Sequence, residues 1–235
     1  MKNIAIITSS EFPACEGIGT YIMSIARVSV TKGHKVTVIS RSPISKELQE
    51  RGDLGIEFIE VKTVKVPIIN NIVFARKLKK LIVKNQFDVV NIQTPLVYFP
   101  RMGGFKTNIL VTVHSTMRFD TAHIEVVSLK AALNKLAGLT YSPLFENHLF
   151  KMANKIICVS EDVRSEVVSY GKNLNEKILV IPNCIDFDVF YPHKKIRVNQ
   201  ILCIGRIGYR KGILNMARAI SLKSRELRNA GYKIL

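Results

Sequence analysis

Residues 3–40 read NIAIITSSEFPACEGIGTYIMSIARVSVTKGHKVTVIS, and this stretch decides the fold class. It opens on the run 3–8, whose apolar residues are nearly continuous instead of alternating, as a strand covered on both faces of a parallel sheet requires. The segment 18–32 has helical spacing and ends at Gly33, a residue suited to terminating a helix in the left-handed conformation. A second run of the same kind, 35–40, completes a strand, helix, strand unit.

Working outward, further Ile- and Val-rich runs occur at 56–61, 87–92, 109–113, 155–159, 178–181 and 201–204. Segments with helical spacing lie between them. Residues 70–85 place Ile72, Phe74, Ala75, Leu78, Leu81 and Ile82 on one side of a helix, with Arg76, Lys77, Lys80 and Lys84 facing away. Residues 161–170 open behind Ser160 as a cap and close at Gly171. Strand then helix, repeated, predicts a doubly wound, Rossmann-like α/β domain with a parallel sheet.

The pattern lapses at 182–199, where Pro182, Pro192 and the basic patch HKKIRVN follow no period. This reads as a boundary: one domain over 1–186, a linker over 187–199, and the start of a second domain over 200–235. The second part holds a strand, a loop at 205–212, a helix at 213–229 and YKIL, one βαβ unit that cannot enclose a core. Residues 194–235 carry eleven basic side chains against Glu226 alone, as a piece of a longer domain would. The expectation is a chain truncated in this second domain.

With 235 residues, 47% of them apolar, and a formal charge of +17, fibrous and disordered classes are excluded and an anionic partner is implied. Cys15, Cys158, Cys184 and Cys203 form no C-x-x-C pair and read as reduced, buried thiols of a cytoplasmic protein. The apolar part of MKNIAIITSS is too short for a signal peptide, and no run reaches the roughly 18 apolar residues of a spanning helix. The chain is therefore expected to be soluble or peripheral. The segment 126–152 combines Leu, Phe and Val with Lys130, Lys135 and Lys151, and 70–85 holds five cations and no acid. Either suits an anionic membrane surface at the inner face, or an ordinary cover helix with solvated lysines.

Three places carry chemistry. Gly17 and Gly19 precede a helix whose free N–H groups would receive a phosphate, although glycines in a turn need no ligand. A dinucleotide fingerprint would place a third glycine where Ile22 stands and a carboxylate where the second strand ends in Ser40-Arg41. The loop Gly205-Arg206-Ile207-Gly208-Tyr209-Arg210-Lys211-Gly212 is not a Walker loop, yet its cations beside helix N–H groups suit a diphosphate; the alternative is a solvated basic turn. His114 follows the run 109–113 at the edge where ligands of parallel sheets collect, or is a satisfied structural histidine. His34 enters its strand from the other end and reads as structural, while His123, His148 and His193 carry no spacing signal.

Taken in order, the Gly17/Gly19 loop, GHKVTV, FDVVNIQ, VTVHS, ANKIICVSEDV, IPNCIDFDVFYP and IGRIGYRKG resemble the retaining nucleotide-sugar glycosyltransferases of the GT-B fold. The similarity is to the glycogen-synthase-like and phosphatidylinositol-mannosyltransferase-like enzymes of glycosyltransferase family 4, and it runs along essentially the whole chain. It implies an acceptor-side amino-terminal domain, a carboxyl-terminal domain for the sugar nucleotide, and a hexosyl transfer in the cleft between them. Gly17 and Gly19 would then lie on the phosphate side of the cleft and His114 near the transferred sugar. Arg206 and Lys211 would neutralise the leaving diphosphate, so that no metal or other cofactor is called for. The acceptor would be a glycan or lipid-linked. Asn183-Cys184-Ile185-Asp186 departs from the family's Asn-Gly-Val-Asp hinge.

An anion- or nucleic-acid-binding α/β module and an NADP-dependent reductase are the competing readings. With 8% aromatic residues and no Trp, the chain lacks the exposed stacking residues that a nucleic-acid surface uses.

Overall fold

A computed structural model describes residues 1–63, 67–95, 107–122, 124, 126, 128–185, 191 and 212–231. Seven strands form a single sheet in which each pairing is parallel. They are β1 (Asn3–Thr8), β2 (Lys35–Ser40), β3 (Ile56–Glu60), β4 (Val89–Gln93), β5 (Asn108–Val113), β6 (Lys155–Cys158) and β7 (Ile178–Val180). Their order across the sheet is β3-β2-β1-β4-β5-β6-β7. The chain thus winds outward in one direction from β1 and, after β3, in the other direction from β4. Ligands of open parallel sheets settle at such a reversal, outside the carboxyl ends of the strands.

The continuous apolar runs are explained by helices on both faces. The helices α1 (Gly17–Thr31) and α2 (Lys46–Arg51) cover one face, where Ile22 and Ala26 of α1 join Ile6, Val36, Val38, Ile56 and Phe58 of the strands. On the other face lie α3 (Pro67–Asn85), α5 (Leu129–Met152) and α6 (Glu161–Val168). Phe74, Leu78 and Ile82 of α3, Leu149 and Phe150 of α5, and Val163 and Val167 of α6 pack there on Ile7, Ile92, Val111 and Ile156. Crossovers of one hand on the two sides of a reversal put their helices on opposite faces, and the helices divide in that way. Residues 213–229 form α7, preceded by Gly212 at φ +63. Of the strand-like runs read from sequence, 201–204 lies outside the described residues, as does most of the linker 187–199.

Helix boundaries show how local chemistry acts. α1 stops where the backbone turns left-handed at Gly33 (φ +78), as its sequence requires. Ser160 caps α6 by accepting from the N–H of Val163 at 3.2 Å, as expected. α6 nevertheless ends at Val168 and not at residue 170; Gly171, at φ 168, is extended and starts the 3-10 turn Lys172–Lys177. After β5 the chain forms the short helix α4 (Met117–Ala122), whose amino end is capped by carboxylates from distant elements. The expectation of buried cysteines holds for Cys158 alone: Cys15 and Cys184 are exposed because they sit in loops at the sheet edge, and Cys203 lies outside the described residues. Burial pushes the Cys158 thiol up to about 12, so it stays protonated.

The side of α3 that carries Phe74, Ala75, Leu78 and Ile82 is buried, and Arg76, Lys77, Lys80 and Lys84 are exposed, as its spacing requires. Leu78→Ala is expected to lower stability by about 2–5 kcal/mol through lost burial and the cavity left behind. Lys80→Ala, half a turn away, is expected to stay within about 0.5 kcal/mol. Urea unfolding of both variants checks the contrast.

Candidate functional site

At the reversal, the carboxyl ends of β1, β4 and β5 carry a polar patch assembled from four segments. The loop 9–16 leaves β1 and is pinned by hydroxyl groups. Ser40 Oγ donates to the Ser10 carbonyl at 2.6 Å, Ser42 Oγ donates to the Ser9 carbonyl, and Ser9 Oγ donates to the Pro95 carbonyl at 3.2 Å. Backbone bonds from Phe12 N–H to Pro43 and from Ser45 N–H to Phe12 tie the same loop to the segment after β2. A loop fixed at this many points holds the first turn of α1 in place.

That turn contains Gly17 and Gly19, whose reasons differ. A Cβ on Gly19 would stand 2.9 Å from Ala14 Cβ, so Gly19 permits the loop to lie on the helix. Gly17 faces open space. Glu16, the cap residue, makes no capping hydrogen bond with its side chain, and the first turn has no acidic residue. The amino end of α1 therefore presents its N–H groups and positive dipole end at the reversal, where an anion is favoured.

One turn further along α1, Tyr21 joins this end to β5. Its ring meets the His114 imidazole edge-on at 4.9 Å between centroids. On β5 beside it, Thr112 Oγ1 donates to Asn91 Oδ1 at 3.0 Å. His114 Nε2 donates to Gln93 Oε1 at 2.9 Å, in the tautomer that leaves Nδ1 as an acceptor. Gln93 is buried, and its Nε2 has no partner among the described residues. Desolvation by the surrounding side chains pushes His114 down to about 4, so the ring is neutral near pH 7.

The residues after His114 are locked by two carboxylates. Glu166 on α6 accepts from the Thr116 N–H at 3.0 Å and from its hydroxyl at 2.8 Å. Glu146 on α5 accepts from the Met117 N–H at 2.8 Å and from the Tyr170 hydroxyl at 2.5 Å. Ser115 Oγ donates to Asp120 at 2.7 Å. Burial raises the Glu146 carboxyl above its ordinary range, opposed by these hydrogen bonds. At the end of β2, the Arg41 guanidinium lies 5.9 Å over the Phe74 ring, and burial lowers its pKa.

The structure brings Gly17, Gly19 and His114 to one edge of the sheet, as the sequence suggested. Arg206 and Lys211 lie outside the described residues. Tyr21, Asn91, Gln93 and Thr112 escaped the sequence reading; the usable signal was polar residues closing otherwise apolar strands, as in VVNIQ. Among the described residues, no three His, Cys, Asp or Glu side chains gather as a metal set would need.

Two outcomes follow from this geometry. Gly19→Ala is expected to displace loop 9–16 and weaken binding of an anion at α1, while Gly17→Ala leaves the fold intact; amide chemical shifts of Ser10, Ala14 and Ile18 check this. For His114, the folded pKa lies below the ordinary 6.5, so the unfolded chain takes up the proton first as pH falls. Its contribution to stability is present above pH 6.5 and is lost between 6.5 and about 4. The difference in unfolding free energy between the wild type and His114→Gln, followed from pH 7.5 to 4, is expected to shift in that direction.

Comparison with known proteins places these features in a family. The family model "Glycosyltransferase Family 4" matches residues 16–189. No curated protein sequence matches the chain. Among solved structures, sucrose-phosphate synthase from Thermosynechococcus elongatus superposes with a TM-score of 0.69 at 15% identity, over 94% of this chain and 60% of that one. WaaG, a glycosyltransferase involved in lipopolysaccharide biosynthesis, gives 0.64 at 18% identity, over 96% and 61%. The catalytic domain of starch synthase IV from Arabidopsis thaliana, bound to ADP and acarbose, gives 0.57 at 13%, over 95% and 66%. The chain spans about three fifths of the length of the first two and two thirds of the third. The likeness is in the α/β fold of GT-B glycosyltransferases. By the family match over most of its length, the chain belongs to glycosyltransferase family 4.

Proposed function

We propose that the chain takes part in the transfer of a hexose, with retention, from a nucleotide-sugar donor to a glycan or lipid-linked acceptor. The observation that carries this reading is the pairing of an uncapped α1 terminus with a neutral, desolvated His114 at the reversal of a family 4 sheet. That ADP is bound to the starch synthase catalytic domain, a structure of similar fold, agrees with a nucleotide as one ligand. In this reading residues 1–186 form the acceptor side, 187–199 the linker and 200–235 the start of the donor side.

Each residue then has a role set by its chemistry. A histidine that titrates near 4 is a poor proton donor or acceptor at pH 7, so His114 acts as a neutral hydrogen-bonding group toward the transferred sugar. Gln93 fixes its tautomer and Tyr21 its plane. Gly17 leaves room for the ligand beside the α1 N–H groups, and Gly19 holds the loop that frames it. Arg206 and Lys211 meet the negative charge that grows on the diphosphate as the glycosidic bond breaks, which supplies electrostatic stabilisation without a metal ion. In a same-face transfer directed by the leaving group, no spaced carboxylate pair of the hydrolase kind is required.

Calorimetric titration with ADP, UDP, GDP, NADPH and a single-stranded oligonucleotide at moderate salt tests the proposal. One nucleoside diphosphate is expected to bind in preference to the rest. Arg206→Ala and Lys211→Ala are each expected to weaken it about 10- to 100-fold, the equivalent of roughly 1.5–3 kcal/mol for a charge-assisted bond. Preference for the oligonucleotide or for NADPH would overturn the transferase reading.

A further inference from the structure

Ser142, Glu146, Leu149 and Phe150 share one side of α5, at spacings of four, three and one, and all four are buried. One of them is an acid. Glu146 is 2% exposed, and among the described residues no other carboxylate is buried. The proposed transfer gives it no part, yet its two oxygens sit where the site is held together. Oε1 accepts from the Met117 N–H at 2.8 Å and Oε2 from the Tyr170 hydroxyl at 2.5 Å. Tyr170 follows α6 and stands edge-on to Phe150, with 5.3 Å between ring centroids.

Three consecutive residues are tied to three carboxylates. Ser115 bonds Asp120 of α4, Thr116 bonds Glu166 of α6, and Met117 bonds Glu146 of α5. The turn they hold begins at the residue after His114. Holding it does not require a charge at 146. A glutamine there would accept from the Met117 N–H through its carbonyl and donate to the Tyr170 oxygen, without the burial of an anion. Burial raises the Glu146 carboxyl above its ordinary 4.5, the bonds from Met117 and Tyr170 oppose the rise, and the negative charge of Asp120 adds to it. The other charged groups about the pair are Arg118 of α4, which acts on Tyr170, and Glu166 of α6, committed to Thr116. The folded chain therefore takes up this proton at a higher pH than the unfolded chain. The contribution of the acid form to stability is fully present below 4.5 and is lost as pH rises through the folded value. What the carboxylate has, and an amide lacks, is a second protonation state.

We propose that Glu146 is a positioning residue for His114, whose carboxylate form holds the imidazole in its working orientation and whose acid form releases it. Ionised, Glu146 binds residues 117 and 170 to α5 at once. A proton taken from solvent onto Oε2 turns that acceptor into a donor, and the Tyr170 hydroxyl, keeping its own proton, has to turn away. The Met117 N–H loses its charged acceptor, and charge-assisted bonds are roughly twice as strong as neutral ones. The turn is then left to Asp120 and Glu166, and the ring to Gln93. Mild acid thus loosens the site at a pH above the titration of His114 itself at about 4. The inference rests on the reading of His114 as the group that meets the transferred sugar.

Carbon spectra of the Glu146 carboxyl and proton spectra of the His114 ring, recorded on the full chain from about pH 8 to 4, test the proposal. The ring is expected to change twice, first at the Glu146 midpoint above 4.5 and again with its own titration. Glu146→Gln is expected to keep the ring signal of neutral pH and to abolish the first change, whereas Glu146→Leu displaces the ring at every pH. Tyr170→Phe removes a bond to the ionised form and is expected to move the midpoint up; Asp120→Asn removes a like charge and is expected to move it down. These two variants keep the test open if position 146 tolerates no change. A ring signal that ignores the Glu146 midpoint, or a first change that survives Glu146→Gln, overturns the positioning role. Titration of the wild type with ADP, UDP and GDP separates the two readings. Coupled signals in a chain that binds none of the three overturn the transferase reading alone, and nucleotide binding without coupled signals overturns the positioning role alone.

Discussion

The parallel pairing of β1 with β2 on one side and β4 on the other is the constraint from which the site follows. Ile4 stands opposite Val36 in one register and opposite Val89 in the other, so β1 is enclosed at the centre of the sheet. The helix that follows β1 and the helix that leads into β4, α1 and α3, lie on opposite faces, and the loop leaving Thr8 sits between the two layers. A gap bounded by rigid strands is useful only if the loop at its rim is rigid too. Hydroxyl groups of Ser9, Ser40 and Ser42 provide that rigidity through bonds to backbone carbonyls, and Gly19 lets α1 approach the loop closely enough to close the rim.

Rigidity on the β5 side has a different source. A carboxylate taken out of water is costly unless its oxygens are bonded. Glu146, at 2% exposure, meets that condition at the amino end of α4, where unpaired N–H groups and the helix dipole need an acceptor. The two needs cancel, and Glu166 repeats the arrangement at Thr116. The result is that the backbone from 114 to 117 is held by side chains from α5 and α6, elements otherwise committed to the far side of the sheet. His114 is thereby coupled to the packing of the whole carboxyl half of the domain.

The faces of the protein are unequal for the same reason. α3 and the end of α5 are anchored by large side chains such as Phe74 and Phe150. The beginning of α5 packs instead on α4, where Ala131 is buried and Gly138 lies against Thr121, and among the described residues no helix is long and apolar enough to cross a membrane.

Much of this was legible in the sequence. Continuous Ile and Val runs declared a sheet covered on both faces, Gly33 and Ser160 declared helix ends, Gly17 and Gly19 declared the opening of a helix, and the position of His114 just after an apolar run declared the edge on which it stands. These are properties of a residue and its near neighbours, which a sequence records. Tyr21, Gln93, Glu146 and Glu166 were not legible, because their meaning lies in partners 21 to 93 positions away that only the tertiary fold brings within reach. Nor could α5 be resolved by pattern: its apolar residues surround the helix, and Leu133 and Leu149 are alike as letters. Tertiary packing alone decided that the second is buried in the sheet's core and the first is left in the open.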